Sequence, residues 1–146
     1  MSRQFTVDSA TSFRMRQVRR EGTKPELQVR KIVYQLGSRY RLRNSDLPGS
    51  PDIANRSGKW AIFVHGCYWH GHTGCSRGAA PVRNREYWAQ KIQKNRARDA
   101  RVLLELRKLG FATSVIWECE LRNIKKVEAR IQHFLSFATT RSGTRK

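Results

Sequence analysis

The chain has 146 residues, the usual size of one domain, and 38% of them are hydrophobic. Its 30 Lys and Arg against 11 Asp and Glu give a formal net charge of +19. This charge indicates a protein that binds a polyanion, with nucleic acid as the favoured partner. A ribosomal-type protein and a membrane-surface protein are the alternatives. It contains no apolar stretch of the roughly 18–20 residues that cross a membrane, and the N-terminus lacks the apolar core of a signal peptide, so we expect a cytoplasmic protein.

Residues 1–20 are polar and rich in Arg, and they predict a basic arm, with a weakly amphipathic helix as the alternative. A helix is predicted to begin at Thr23, because Thr23 and Glu26 have the spacing of a capping box and Pro25 lies in the first turn. Gly37 is the expected C-terminal cap. Five apolar residues form the expected inward stripe of this helix: Leu27, Val29, Ile32, Val33 and Leu36.

Three short strands are predicted next, at residues 40–42, 52–54 and 60–65. The first two are separated by the turn sequence Leu-Pro-Gly-Ser-Pro, and the third, Trp-Ala-Ile-Phe-Val-His, has the composition of a buried strand. Residues 67–81 are rich in Gly, His and Cys and are predicted to be a loop.

A long helix is predicted over residues 83–109, a buried strand over 111–117 and a last helix over 125–137. The inward residues expected of the long helix are Trp88, Ile92, Leu103, Leu106 and Leu109, and its basic face carries Lys91, Lys94, Arg96, Arg98 and Arg101. The inward residues expected of the last helix are Val127, Ile131, Phe134 and Leu135.

This order of elements predicts an α/β fold, a three-layer sandwich around a mixed central sheet. We expect one folded domain over residues 21–137, flanked by the basic arm at 1–20 and a basic, disordered tail at 138–146.

The three cysteines indicate a metal site, since an odd number of cysteines in a protein expected to be cytoplasmic argues against a disulfide framework. Cys67, Cys75 and Cys119 together with His72 make up the ligand set of a closed, tetrahedral, structural zinc site. A metal would order a loop that has too little apolar surface to order itself. The alternative is that the cysteines are scattered thiols and that His72 is an exposed side chain.

Asp52 opens one predicted strand and His65 ends the next. An acid and a polar residue at neighbouring strand ends could converge on a divalent cation that assists phosphodiester cleavage. An aspartate that merely ends a turn is the commoner reason for a Pro-Asp pair.

Six motifs occur together and in order: T-K-P-E-L, L-P-G-S-P-D, F-V-H-G-C-Y-W-H-G-H, R-E-Y-W-x-x-K-I-x-x-N, R-D-x-R-V and V-I-W-E-C-E-L-R. On these motifs the sequence closely resembles the Vsr DNA mismatch endonucleases from about Arg14 to Arg122. The resemblance implies a restriction-endonuclease-like fold with a variant of the PD-(D/E)xK site. It also implies Mg²⁺-dependent nicking of one strand 5′ to the thymine of a T:G mismatch, the product of 5-methylcytosine deamination.

The resemblance also implies roles for individual residues. Asp52 would bind Mg²⁺, Val64 would offer its backbone carbonyl to the same ion, and His65 would lie near the scissile phosphate, where the superfamily usually has lysine. His70 would activate water. Glu26 would be an active-site acid, although closing the capping box is an alternative role for it.

The same resemblance assigns the structural zinc to Cys67, His72, Cys75 and Cys119. It also assigns three aromatic residues to a wedge that enters DNA beside the mismatch: Tyr68, Trp69 and Trp88. Core packing is the alternative for the two tryptophans, whereas insertion between base steps would exploit a weakened pair.

Double-stranded DNA with a T:G mismatch is therefore the expected partner of a monomeric enzyme, with mismatch-repair or repair-polymerase proteins as further candidate partners. Two alternative hypotheses about the function stay open. One is a related nuclease of restriction type that cuts both strands, for which dimerisation would be the discriminator. The other is a non-catalytic, zinc-containing DNA-binding module.

Overall fold

The computed structural model describes residues 23–67, 70–72, 75 and 83–143, and the predicted arm at 1–20 lies outside them. Within these residues the chain forms three α-helices, one 3₁₀ helix and three strands. In chain order they are α1 (Lys24–Gln35), β1 (Ile53–Asn55), β2 (Trp60–His65), α2 (Arg85–Lys108), β3 (Ala112–Trp117), the 3₁₀ helix (Glu118–Arg122) and α3 (Ile124–Gly143). None of the described helices is long and apolar enough to span a membrane.

Helix α1 has the ends that its sequence predicts. The Thr23 hydroxyl accepts a hydrogen bond from the backbone N–H of Glu26 at 3.4 Å, which satisfies one of the free donors of the first turn. At the other end Gly37 adopts φ +77°, and its N–H donates to the carbonyl of Tyr34 at 3.0 Å. The N–H of Ser38 donates to Val33 at 3.3 Å, which completes a glycine-type helix stop.

The three strands form one mixed sheet in the order β1-β2-β3. Strand β1 pairs antiparallel with β2, with Ile53 opposite Ile62, and β2 pairs parallel with β3, with His65 opposite Trp117. Helix α2 provides the crossover that a parallel pair requires. The carboxyl ends of β2 and β3 therefore meet at one edge of the sheet, and the residue that enters β1 reaches the same edge.

The core has two parts because alternate strand residues point to opposite faces of the sheet. On one face Ile53 and Ile62 pack with apolar residues of α1 and α3, and on the other Ala61 and Phe63 pack with Leu106 of α2. The described helices thus cover both faces of an α/β sheet.

Several sequence predictions need correction. The strand expected at residues 40–42 is a single antiparallel bridge between Arg41 and Ala54. Leu27 was assigned to the inward stripe of α1 but is 50% exposed, and Leu109 of α2 is 51% exposed. Leu36 is also exposed. Leu36 and Leu109 are the C-cap residues that follow α1 and α2, whereas Leu27 lies outside the face of α1 that Val29, Ile32 and Val33 bury.

The last helix is longer than predicted. It was expected to end at residue 137, but α3 continues to Gly143, so residues 138–143 of the expected disordered tail are helical. Ala138 is fully buried and continues the inward stripe of Ile131 and Leu135 by one more turn, which explains the extension. Residues 144–146 lie outside the described part of the chain.

Candidate active site at the edge of the sheet

Asp52 lies where the chain enters β1, beside the end of β2. Its Oδ2 accepts a hydrogen bond from the backbone N–H of Val64 at 2.7 Å. Burial, reinforced by the negative charge of Glu26, raises the pKa of Asp52 from 3.8 to about 6, although the Val64 hydrogen bond and Arg30 act in the opposite direction. A carboxylate held at this cost is the kind of group that a divalent cation would stabilise.

Glu26 is buried on α1 and brings a second carboxylate toward Asp52. Its Oε2 lies 3.3 Å from Nη2 of Arg30, one helical turn further along. Its backbone N–H donates to the Thr23 cap, and its side-chain carboxylate contacts Arg30. Two carboxylates beside the backbone of Val64 are the oxygen donors that Mg²⁺ prefers, so the residues present fit that ion.

His65 and His70 stack on each other where β2 ends, one residue beyond the Val64 N–H that donates to Asp52. Their ring centroids are 3.8 Å apart and their planes differ by 4°. His65 is only 7% exposed, and its Nδ1 has no hydrogen-bond partner in the described structure. Burial, followed by the charge of His70, lowers the pKa of His65 to about 4, so this imidazole is neutral at physiological pH.

Asp99 of α2 completes the histidine group. Its Oδ2 lies 2.6 Å from Nδ1 of His70, and both side chains are 21% exposed. A carboxylate at Nδ1 fixes the ring orientation and leaves Nε2 directed away from the carboxylate. The His70–Asp99 pair therefore has the arrangement of a base with its orienting acid.

The four predicted zinc ligands come together beside the histidine pair. The ligand atoms of Cys67, His72, Cys75 and Cys119 all lie within 4.8 Å of one another, and Sγ of Cys119 is 3.4 Å from Nδ1 of His72. With zinc–sulfur bonds of about 2.3 Å, ligand atoms of a tetrahedral site are about 3.5–3.8 Å apart, so the set fits zinc after a small contraction. Burial raises the pKa of the Cys67 thiol to about 12 where no cation offsets it.

Trp117, the last residue of β3, connects the two groups. Its ring stacks on the ring of His72 with the centroids 4.2 Å apart. It also makes an edge-on contact with the ring of His65, with the centroids 5.2 Å apart. The cysteine cluster and the histidine pair thus share one aromatic wall.

Gly71 sets the close approach of the loop to α2. It adopts φ +60°, and a Cβ at this position would lie 2.3 Å from Cγ2 of Ile92. The loop is closed by hydrogen bonds from the N–H of His70 to Gly66 at 3.2 Å and from that of His72 to Cys67 at 2.9 Å. A residue with a side chain at position 71 would push both histidines away from the helix.

The wedge residues are only partly accounted for. Tyr68 and Trp69 lie outside the described residues. Trp88 is 3% exposed. The ring centroids of Tyr87 and Trp88 are 5.1 Å apart, and Nζ of Lys91 lies 5.5 Å from the centroid of the Trp88 ring. This burial favours core packing for Trp88 in the free protein, because stacking on a base would require the ring to be uncovered. The basic residues of α2 are exposed as expected: Lys91, Lys94, Arg96, Arg98 and Arg101.

Three residues that no sequence argument had singled out now belong to this region. Asp99 was visible only as part of the R-D-x-R-V motif, Arg30 as the residue one helical turn after Glu26, and Trp117 as part of V-I-W-E-C. Their roles depend on which elements meet in space, which residue spacing along one helix or strand does not reveal.

Comparison of the sequence with known proteins identifies the family of this chain. The sequence profile of the family described as "DNA mismatch endonuclease Vsr" matches residues 5–77. The chain is 45% identical over 123 residues to the Type II nicking enzyme V.XorIIP of Xanthomonas oryzae pv. oryzae, covering 84% of this chain and 90% of that protein. It is 44% identical over 119 residues to the Type II nicking enzyme V.NmeAIP of Neisseria meningitidis, covering 82% and 84%. It is also 36% identical over 121 residues to the DNA mismatch endonuclease Vsr of Escherichia coli, covering 82% and 77%.

Proposed function

The chain belongs to the Vsr family of DNA endonucleases, and on that premise we propose that it nicks one strand of double-stranded DNA 5′ to the mispaired thymine of a T:G mismatch. The observation that carries the proposal is the charge-coupled carboxylate pair Asp52 and Glu26 at the end of β2, where Val64 donates to Asp52 and the next residue, His65, stacks on His70 of the His70–Asp99 pair. These are the groups that metal-assisted phosphodiester hydrolysis requires. The two-sided core is what a three-layer, restriction-endonuclease-like sandwich would need.

In this proposal Mg²⁺ is held by Asp52, with Glu26 and the carbonyl of Val64 as further oxygen donors. When bound, the ion polarises the scissile phosphate and stabilises its developing charge. Its positive charge would also offset the burial that raises the pKa of Asp52 to about 6.

His70 is the proposed general base. Asp99 accepts the Nδ1 proton of its ring, so Nε2 is available to take a proton from the attacking water. His65, which burial keeps neutral, would act near the phosphate through hydrogen bonding rather than through charge. Its stacking on His70 holds the base in place.

The cysteine cluster is proposed to hold one structural Zn²⁺, which would order the loop from Cys67 to Cys75 and attach it to Cys119. Tyr68 and Trp69 are proposed as the wedge beside the mismatch, joined by Trp88 if DNA uncovers its ring. The exposed basic face of α2 would contact phosphates.

Nicking by a monomer is favoured over double-strand cleavage because each chain would carry one such site, and two of the relatives are named nicking enzymes. Participation of repair proteins and a cytoplasmic location stay predictions from the sequence. A non-catalytic DNA-binding module is disfavoured, since such a module has no use for a buried carboxylate pair and a histidine–aspartate pair near the same strand end.

A nicking assay on a pool of duplexes tests the proposal. Each duplex carries a central T:G, T:A or C:G pair within randomised flanking pairs, and the two strands carry different labels. We expect cleavage of the thymine strand of T:G duplexes in Mg²⁺ and none when EDTA is added at the start. Asp52→Asn protein provides the control for contaminating nuclease. Equal cleavage of matched duplexes, or cleavage of both strands, would contradict the proposal.

A further inference from the structure

His65, His70 and Asp99 form a set of metal-ligating side chains separate from the carboxylate pair and from the cysteine cluster. One ligand atom of each lies within 4.8 Å of the others, and the three come from the end of β2, the following loop and α2. We propose that this set is a second transition-metal site, which takes a borderline divalent cation such as Zn²⁺, Co²⁺ or Ni²⁺ and thereby inhibits the nuclease.

The first argument is the condition of His65. Its ring is more than nine-tenths buried, and Nδ1 has no hydrogen-bond partner in the described structure. Buried side-chain nitrogens normally have a partner, so one without any calls for an explanation. A cation is a partner that an imidazole nitrogen readily accepts.

The second argument is the contact between His70 and Asp99. The Asp99 carboxylate lies 2.6 Å from Nδ1 of His70, so an oxygen donor and a nitrogen donor already lie side by side, where one cation can bind both in place of the proton between them. Both side chains are one-fifth exposed, so an ion can reach the site from solvent.

The donor atoms decide the class of cation. Two imidazole nitrogens and one carboxylate oxygen suit Zn²⁺, Co²⁺ and Ni²⁺, whereas Mg²⁺ prefers oxygen donors alone. This preference separates the site from the carboxylate pair around Asp52, which has oxygen donors.

Metal binding would change the histidine pair. The two rings are stacked with nearly parallel planes, and imidazole lone pairs lie in the ring plane, so a shared ion must turn the rings out of the stack. An ion bound to Nδ1 of His70 and to Asp99 would also remove the hydrogen bond by which Asp99 orients the proposed base. This inhibitory step rests on the proposed function, whereas the binding of the cation does not.

Binding is tested by equilibrium dialysis of protein that holds one Zn²⁺ per chain against increasing Ni²⁺, with both metals counted. We expect one Ni²⁺ to be added while zinc stays at one. We expect His70→Gln and Asp99→Asn to bind it at least about ten-fold more weakly, and the exposed His133→Gln to bind as the wild type does. No added Ni²⁺, exchange of Ni²⁺ for zinc, or equal binding by His70→Gln would overturn the site. If the variants do not fold, nickel-dependent broadening of the wild-type His65 and His70 ring resonances decides instead, and its absence overturns the site.

Inhibition is tested by nicking a T:G duplex at fixed, saturating Mg²⁺ with increasing Ni²⁺. The nickel concentration that halves the rate should equal the one that half-fills the site. Unchanged or faster nicking with the site filled would overturn the inhibitory role. An enzyme that nicks no duplex even without nickel would refute the proposed function, while the dialysis would still decide the metal site.

Discussion

Replacing Asp52 by Asn should make the magnesium-free protein more stable while it abolishes nicking. The pKa of Asp52 is raised from 3.8 to about 6, chiefly by burial. Since one unit corresponds to 1.36 kcal/mol, ionised Asp52 costs the folded state about 3 kcal/mol at pH 8. The asparagine oxygen can still accept the N–H of Val64, but its buried NH₂ costs about 1–3 kcal/mol if it finds no partner.

We therefore expect a net gain of up to about 2 kcal/mol at pH 8, or up to about 6 °C in melting temperature for a chain of this size. The gain has a defined pH dependence. Because the folded-state pKa of Asp52 lies above its unfolded value, folding takes up a proton between pH 4 and 6. The free energy of unfolding of the wild type therefore falls relative to that of the variant as the pH rises through this window. The gap between the two proteins should grow through pH 4–6 and be constant above pH 7.

Urea unfolding of zinc-loaded protein in magnesium-free buffer measures this gap, with both proteins compared at each pH. The matched control is Asp46→Asn. That carboxylate is fully exposed and its pKa is lowered by a hydrogen bond from Arg56, so this substitution should give no stabilisation. Added Mg²⁺ should stabilise the wild type but not Asp52→Asn. A variant less stable than the wild type at pH 8, or a gap that does not change with pH, would refute the reasoning.

Four further predictions concern the zinc cluster, the base, the loop and the DNA contacts. Cys119→Ser should lower zinc below one per chain and lower the melting temperature, as elemental analysis and calorimetry would record; full zinc content would exclude Cys119 as a ligand. Asp99→Asn should slow nicking by about 10²-fold or more with DNA affinity unchanged, because His70 loses its orienting acid. Single-turnover nicking rates and DNA-binding isotherms test this prediction. A wild-type nicking rate would remove the His70–Asp99 pair from the mechanism. Gly71→Ala should cost more stability than Gly37→Ala, since both have positive φ but only position 71 lies against Ile92; equal melting temperatures would argue against the close approach. DNA affinity should fall steeply with salt, by about 0.9 logarithmic units per tenfold salt for each phosphate contacted, and a flat response would count against the basic face of α2.

The parts of the fold that local sequence rules determine were predicted well. The Thr23 cap and the Gly37 stop bound α1 as expected, because capping depends on residues three or four positions apart. The sequence Trp-Ala-Ile-Phe-Val-His forms the central strand β2 at the predicted bounds, since an apolar run of that length is buried on both faces.

The parts that depend on tertiary contacts were predicted less well. Nothing in the pattern of α2 distinguishes Asp99 from other polar residues of a 24-residue helix, because its role arises only where the loop at His70 crosses that helix. The extension of α3 was missed for a similar reason. A basic, polar segment looks like a tail until Ala138 is seen against the core.

Trp117 shows why the zinc cluster and the nuclease site should depend on each other. His72 is one of the four residues of the cysteine cluster and stacks on Trp117, while Trp117 also meets the edge of His65. His70 is separated from His72 only by Gly71, whose conformation fixes the distance of both histidines from α2. Loss of the metal would release His72, and with it both the aromatic wall behind His65 and the loop that carries His70. If the cluster holds zinc as proposed, the metal contributes to the construction of the candidate active site, because the stacked histidines depend on the loop that carries His72 and on the tryptophan that His72 stacks on.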